Sequence, residues 1–116
     1  MNKSKAKGTS AESAFVNEAQ VKAQFPMVER RTLSGALDEG DIAGCKDLVF
    51  ELKNAKTYKI PAWLKETEVE KVNAKADFGI LVVKPNGVGL GSVPDWWAIM
   101  PVGEMLKLLK KAGYEG

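Results

Sequence analysis

Acidic and basic side chains flank one apolar segment, residues 40–53, in a spacing that suits metal-dependent hydrolysis. Asp41 follows a glycine at the start of this segment, and Glu51 and Lys53 stand near its end. Side chains two residues apart on a β-strand project from the same face, about 6.5 Å apart, so Glu51 and Lys53 are predicted to be neighbours. If the turn returns Asp41 to Glu51, two carboxylates and a lysine meet at one point. Such a group can bind a hard divalent cation and activate a water molecule.

The composition removes most other kinds of catalytic centre. The chain has no histidine and a single cysteine, Cys45, which excludes Ser-His-Asp and Cys-His centres, histidine-based zinc sites and an internal disulfide. Any metal must then be held by oxygen atoms, which favours magnesium or manganese over zinc.

The totals describe one ordinary globular domain. The chain has 116 residues, of which 45% are hydrophobic and 28% charged, enough for one core and too few for two. Neither a bilayer-spanning apolar run nor a secretory signal is visible, so we expect no membrane association and a cytoplasmic, intracellular location. The net charge of +2 does not by itself indicate a nucleic-acid partner. Lysines and arginines on either side of an acidic centre would suit a polyanion, but an ordinary mixed surface has the same appearance.

Apolar periodicity and turn residues predict the element order αβββαββα. Residues 1–8 are expected to be a flexible basic arm, and residues 9–116 a single domain. Helices are predicted over about 9–25, 62–76 and 102–112, and strands over 28–33, from 42, and over 48–53, 78–83 and 96–100. Because a helix joins strands 48–53 and 78–83, these strands should be parallel. The expected fold is therefore α/β, a small mixed central sheet flanked by helices.

The pattern also predicts which side chains are buried. On strand 48–53, Glu51 and Lys53 should share the face of Val49, with the remaining apolar residues on the opposite face. In the helices, the residues assigned to the apolar stripes are Trp63, Leu64, Val69, Val72 and Ala76, and then Met105, Leu106, Leu108 and Leu109. Thr9 and Glu12 have the spacing of a capping box at the start of the first helix, and that role alone would account for Glu12.

Several short motifs together resemble the PD-(D/E)XK nuclease superfamily, and within it the archaeal-type and phage-type Holliday junction resolvases. The resemblance covers about residues 7–100. It is carried by Lys7-Gly8, Glu12, Arg30-Arg31, Ser34-Gly35, Gly40-Asp41-Ile42, Glu51-Leu52-Lys53 and Lys84. The chain departs from the family pattern in two places: Gly40 replaces the usual proline, and Glu66, Glu68 and Glu70 stand where the second helix often has a glutamine.

The resemblance implies a restriction-endonuclease-like fold and a magnesium-dependent DNA endonuclease, with manganese as a possible substitute for magnesium. It implies that Asp41, Glu51 and Glu12 are metal ligands, that Lys53 completes the catalytic set by positioning the attacking water, and that a homodimer cuts four-way junctions in DNA. If the protein is phage-encoded, it would act in the host cytoplasm. The residues that would contact DNA are Lys7, Arg30, Arg31, Ser34 and Lys84.

Other interpretations of the same residues stay open. In one interpretation these residues have no catalytic role: Glu51 and Lys53 form an ordinary exposed pair on one strand face, and Asp41 is a turn residue. A related nuclease would act on linear duplex, flap or single-stranded DNA, and an inactive module of the same fold would bind DNA without cutting it. Trp96 and Trp97 would stack on bases, or at least one of them would pack in the core or in a dimer interface.

Overall fold

A computed structural model describes residues 3–22, 29–30, 40, 42–43 and 47–115 of the chain. A π-helical turn, Glu18–Lys22, continues the first helix, and a 3₁₀ turn, Val93–Asp95, precedes the last strand. The regular elements are helices α1 (Lys3–Asn17), α2 (Ile60–Asn73) and α3 (Val102–Lys111), and strands β1 (Glu29–Arg30), β2 (Ile42–Ala43), β3 (Leu48–Lys53), β4 (Phe78–Val83) and β5 (Trp97–Ile99).

The main sheet has the order β3-β4-β5. Strands β3 and β4 are parallel, in a register that runs from Leu48 opposite Phe78 to Lys53 opposite Val83. Strand β5 is antiparallel to β4, with Trp97 opposite Val83, and β1 and β2 form a separate antiparallel pair. The predicted small mixed sheet flanked by helices is confirmed, and so are the predicted bounds of β3 and β4.

The two faces of the sheet are covered by different helices. On one face, α1 contributes Ala11 and Phe15 to a core with Leu52, Val82 and other residues, and the Phe15 ring lies 5.1 Å from that of Phe50. On the other face, α2 packs Trp63 over Leu81 and Val83. The prediction that Glu51 and Lys53 face away from Phe50 and Leu52 is confirmed, but that face lies beneath α2 instead of forming an open cleft.

Gly79 allows α2 to approach the sheet closely. A Cβ atom at Gly79 would lie 2.9 Å from the Thr67 side chain and 3.2 Å from its carbonyl oxygen, distances that a real Cβ does not tolerate without movement. The Thr67 hydroxyl donates to the Trp63 carbonyl oxygen at 2.8 Å, so its methyl group is left to pack on the glycine. Residues on the inner face of α2 are therefore held close to β3 and β4.

Three predicted details of the helices are wrong. Helix α1 begins at Lys3, so Thr9 lies inside it and cannot be its N-cap; lysine and alanine are good helix formers and extend the helix through most of the predicted arm. In α2, Val69 and Val72 are exposed, because the inward stripe consists of Trp63, Thr67 and Glu70.

The third wrong prediction concerns α3, whose apolar side chains point into solvent. Met105, Leu106 and Leu109 are all exposed, and Leu108 is half-buried. The helix is held instead by charged contacts: Glu104 Oε1 lies 3.2 Å from Lys71 Nζ of α2, and Lys111 Nζ lies 3.0 Å from Asp77 Oδ2. These contacts turn the apolar stripe of α3 away from the sheet.

None of the helices described here has both the length and the apolar character needed to cross a lipid bilayer.

Candidate metal centre

Strand β3 places Glu51 and Lys53 on the face of the sheet that α2 covers. Glu51 is only 5% exposed, although a glutamate is rarely buried in the middle of a strand without charged or polar partners. Its neighbour across the sheet is Leu81 of β4, which is apolar. The groups that could compensate the carboxylate must therefore come from the helix above the sheet or from the chain beside β3.

Helix α2 brings two more carboxylates to the same point. Glu70 is 1% exposed and lies on the inward stripe, three residues after Thr67 and seven after Trp63, which is the spacing of one helix face. Glu66 lies beside that stripe. In the part of the chain that the structure describes, one oxygen atom from each of Glu51, Glu66 and Glu70 lies within 4.8 Å of the others. We call this group the carboxylate cluster.

The geometry and chemistry of the carboxylate cluster fit a hard divalent cation. Two oxygen ligands on opposite sides of Mg²⁺ are about 4.2 Å apart, and on opposite sides of Ca²⁺ about 4.6–5.2 Å apart, from their usual bond lengths. The three cluster oxygens are separated by no more than 4.8 Å, so they are close enough to contact one ion. All three donors are oxygen atoms, as expected for a chain without histidine. The cluster could thus hold a metal ion.

Lys53 lies at the edge of the carboxylate cluster. Its Nζ is 2.8 Å from Glu66 Oε2 and 5.8 Å from the centre of the Trp63 ring. The ammonium group thus contacts a carboxylate of the cluster on one side and an aromatic face on the other. An amine and three carboxylates share one small volume beneath and beside α2.

Glu68 belongs to a different group of charges, on the other side of α2. Its Oε2 lies 3.0 Å from Lys71 Nζ, which also contacts Glu104 of α3. Burial of Lys71 lowers its pKa, but the hydrogen bonds from its ammonium group to Glu68 and Glu104 outweigh this effect, and the pKa is raised. Of Glu66, Glu68 and Glu70, only Glu66 and Glu70 belong to the carboxylate cluster.

Asp41 lies outside the described residues, but its neighbour in the chain borders the cluster. Gly40 has a φ of 91°, and a Cβ atom placed on it would lie 2.7 Å from Val49 Cγ1 and 3.7 Å from Glu70 Oε2. Ile42, on the other side of Asp41, is buried in the core. The backbone therefore passes beside Glu70 one peptide unit, about 3.8 Å, before Asp41.

Glu12 lies on the helix that covers the opposite face of the sheet. Its Oε2 accepts a hydrogen bond from Arg30 Nε of β1 at 3.1 Å, and within the described residues it is not a member of the carboxylate cluster. The structure therefore places Glu51 and Lys53 of the predicted catalytic residues together on one face of the sheet. Whether Glu12 acts as a metal ligand stays a prediction.

The residues predicted to contact DNA are only partly described. Arg30 is exposed and forms the ion pair with Glu12. Lys84 directly follows β4, and its backbone N–H donates to the Lys53 carbonyl oxygen at 2.9 Å, so both lysines lie at the same edge of the sheet. Arg31 and Ser34 lie outside the described residues, and for Lys7 only the helical backbone is described.

An open cleft of about 300 Å³ adjoins Lys53 at the carboxyl end of β3. Its lining includes Gly8 of α1, Asn54, Lys59 of the loop before α2, and the edge of Trp63. Lys53 and Lys59 make this cleft basic, and its described lining residues include no carboxylate. An anionic group in the cleft would lie next to the ammonium group of Lys53.

The sequence leaves open which of Glu66, Glu68 and Glu70 supplies the site position on the second helix, although it contains a signal that distinguishes them. Trp63 is the one tryptophan of α2, and positions four and seven residues after it must share its face. This spacing places Thr67 and Glu70, but not Glu68, on the buried face of α2. The positions of the apolar residues instead predicted that Val69 and Val72 are on that face.

Comparisons with models of known protein families, with curated proteins and with solved structures gave no match for this chain.

Proposed function

We propose that this protein is a metal-dependent DNA endonuclease that resolves four-way junctions. The observation that supports this proposal most directly is the meeting of Glu51, Glu66 and Glu70 within 4.8 Å, with Lys53 Nζ 2.8 Å from Glu66. Three carboxylates and an amine beside a basic cleft are the groups that hydrolysis of a phosphodiester requires when no histidine is present.

Glu51, Glu66 and Glu70 would hold Mg²⁺, or Mn²⁺ in its place. When bound, the metal supplies charge stabilisation for the phosphate and lowers the pKa of a coordinated water. The buried positions of Glu51 and Glu70 fix their side chains, and the exposed Glu66 can exchange between the metal and Lys53. Because a cation repels the ammonium group of Lys53, this group is directed towards the attacking water or the phosphate.

Asp41 is proposed as a further ligand, because its neighbour Gly40 borders Glu70. Glu12 is proposed to act through Arg30, its ion-pair partner, by orienting that guanidinium towards the DNA backbone. Direct ligation by Glu12 would require it to leave Arg30.

DNA would lie over the end of the sheet where the parallel strands β3 and β4 finish, which we call the carboxyl edge. Lys53, Lys59 and Lys84 occupy this edge, and phosphate contacts from such residues position the DNA without reading its sequence. Lys7, Arg30, Arg31 and Ser34 are proposed to extend the contact. The preference for four-way junctions rests on the resemblance carried by the motifs of residues 7–100.

A homodimer is proposed because two active sites related by a dyad can make paired cuts in a symmetric junction. The exposed stripe on α3, which includes Met105, Leu106 and Leu109, borders a depression of about 660 Å³, and a second copy would remove this surface from water. Analytical ultracentrifugation measures this association directly.

The test is cleavage of a synthetic four-way junction and of linear duplex in magnesium. We expect Glu51→Gln to lower the rate by at least about 100-fold, since a catalytic metal supplies several kcal/mol. Lys53→Met should lower the rate comparably while leaving metal-induced stabilisation in place. Glu68→Gln is the matched control, because Glu68 lies on the same helix but outside the carboxylate cluster.

Undiminished cleavage by Glu51→Gln would refute the assignment of the site. Equal rates on junction and linear DNA would instead indicate the related nuclease acting on duplex, flap or single strands. Salt-sensitive junction binding that is unaffected by magnesium and by Glu51→Gln, without cleavage, would indicate the inactive DNA-binding module.

A further inference from the structure

A row of residues across the sheet connects Lys53 with an exposed tryptophan. Lys53 of β3 is opposite Val83 of β4, which in turn is opposite Trp97 of β5. Residues directly opposite each other on neighbouring strands project from the same face. Trp97 therefore lies on the face of the sheet that carries Glu51 and Lys53. Two strand spacings separate Lys53 from Trp97, which is about 10 Å.

Tyr58 fills the space between the two aromatic neighbours of this row. Its ring centre lies 6.4 Å from that of Trp63 and 5.7 Å from that of Trp97, with interplanar angles of 61° and 71°. The rings therefore meet edge to face, and Trp97 remains 46% exposed. By contrast, Trp96 is buried, and its Nε1 donates to the Gly89 carbonyl oxygen at 3.2 Å. Trp97 is thus positioned as an exposed aromatic surface.

Hydrogen bonds from the loop after β4 fix the orientation of Tyr58. The Tyr58 hydroxyl accepts a bond from the Asn86 backbone N–H at 2.7 Å, and Asn86 Nδ2 donates to the Lys56 carbonyl oxygen at 2.9 Å. These two contacts join the loop after β3 to the loop after β4. The aromatic pair is therefore held rigidly although it lies at the surface.

The two loops that hold the aromatic pair are basic, while Glu66 pairs with Lys53 and Asp95 lies two residues before Trp97. Segments 53–59 and 84–87, which the Asn86 bonds join, contain four lysines and no aspartate or glutamate: Lys53, Lys56, Lys59 and Lys84. An exposed aromatic surface bordered by lysines is complementary to a partner that has both flat apolar rings and negative charge. Nucleotides with free base faces have this combination, whereas bases in a duplex are already stacked on one another.

We propose that Trp97 and Tyr58 form a stacking surface for unpaired nucleotides of the DNA substrate, next to the site of cleavage. This inference rests on the proposed nuclease function and specifies the kind of DNA the site accepts. The distance of about 10 Å from Lys53 corresponds to about three stacked nucleotide steps of 3.4 Å. A strand whose phosphate lies at Lys53 would place a base near Trp97 only where that strand has separated from its complement.

The experiment measures binding of a fluorescein-labelled oligothymidylate and of a duplex of equal length, in EDTA so that nothing is hydrolysed. Loss of base stacking on one aromatic residue costs about 1–3 kcal/mol, so we expect Trp97→Leu to weaken oligothymidylate binding by about 5- to 150-fold and duplex binding by less than about 3-fold. Trp97→Phe should retain most of the affinity. Tyr114→Leu is the matched control, because Tyr114 is an exposed aromatic residue outside this surface.

Tryptophan fluorescence gives a second measurement. Trp63 and Trp96 are buried, so quenching by added oligothymidylate should come mainly from Trp97 and should be strongly reduced in Trp97→Phe. Equal affinity of Trp97→Leu and Tyr114→Leu for oligothymidylate, together with unchanged quenching in Trp97→Phe, would overturn the proposal.

The two proposals fail in different assays. If the protein binds oligothymidylate through Trp97 but cuts no DNA in magnesium, the stacking surface is supported and the nuclease function fails. If the protein cuts DNA and Trp97→Leu binds single strands normally, the nuclease function stands and the stacking surface fails.

Discussion

Replacing Glu70 with glutamine should stabilise the protein without metal and destabilise it, relative to wild type, with metal. Glu70 and Glu51 are both buried, and their cluster oxygens lie within 4.8 Å of each other. At that distance and an effective dielectric constant of about 20, two like charges repel by about 3 kcal/mol. The nearby ammonium group of Lys53, which contacts Glu66, offsets part of this repulsion, so we expect Glu70→Gln to raise the free energy of unfolding in EDTA by about 1–2 kcal/mol.

Magnesium should reverse the order of the two proteins. A ligand present at 100 times its Kd stabilises the folded state by about 2.7 kcal/mol, and this gain requires the full carboxylate cluster. Glu70→Gln loses one of the described ligands and should gain less than about 1 kcal/mol under the same conditions. Wild type should therefore be the less stable protein in EDTA and the more stable one in magnesium.

Thermal and urea denaturation in EDTA and in magnesium test this reversal, and 1 kcal/mol corresponds to about 4 °C in Tm for a chain of this size. Glu68→Gln is the control: its exposed ion pair with Lys71 contributes at most about 1 kcal/mol, and the variant should keep the whole magnesium effect. If Glu70→Gln is less stable than wild type in EDTA and magnesium changes neither protein, the carboxylate is a structural group and the reasoning is refuted.

Two further predictions concern the contacts that position α2. Gly79→Ala should destabilise the fold by about 1–3 kcal/mol, because the new methyl group meets Thr67. The same variant should weaken magnesium binding measured by calorimetry. Gly103→Ala is the control: a Cβ there meets nothing within 4 Å, so this variant should be neutral or stabilising by up to about 1 kcal/mol. Unchanged magnesium affinity in Gly79→Ala would contradict a link between helix position and the cluster. Lys71→Met should cost about 2 kcal/mol at pH 8, since it removes charged hydrogen bonds to Glu104 and Glu68. Because the folded-state pKa of Lys71 is raised, this contribution is fully present below its unfolded pKa of about 10.4 and is lost as pH rises through the folded value. Urea denaturation of wild type and Lys71→Met from pH 8 to 11.5 should show that their difference in the free energy of unfolding shrinks as the pH rises. A constant difference would refute this account of Lys71.

The strands of the core could be predicted from the sequence because their signals are local. Residues 78–83 form a short apolar run bounded by the charged residues Asp77 and Lys84. Residues 48–53 alternate in a way that separates Glu51 and Lys53 from Phe50 and Leu52. Such patterns depend only on the two-residue period of a strand. Both elements have the predicted bounds.

The faces of the helices could not be predicted in the same way because charged residues occupy inward positions. Glu70 lies on the buried stripe of α2, whereas Val69 and Val72 are exposed. In α3, Glu104 contacts Lys71, and the apolar stripe faces solvent. Apolar periodicity assumes that burial follows hydrophobicity, and this assumption fails where buried carboxylates are compensated by other charges or hold an ion.

Gly40 gives a structural reason for the departure from the nuclease superfamily at this position. A proline ring restricts φ to about −65°, whereas Gly40 has a φ of 91° and no room for a Cβ beside Val49. A proline therefore could not replace this glycine without rerouting the backbone. Under the proposal that Asp41 is a metal ligand, Gly40→Pro would therefore move this residue away from the carboxylate cluster instead of improving the site.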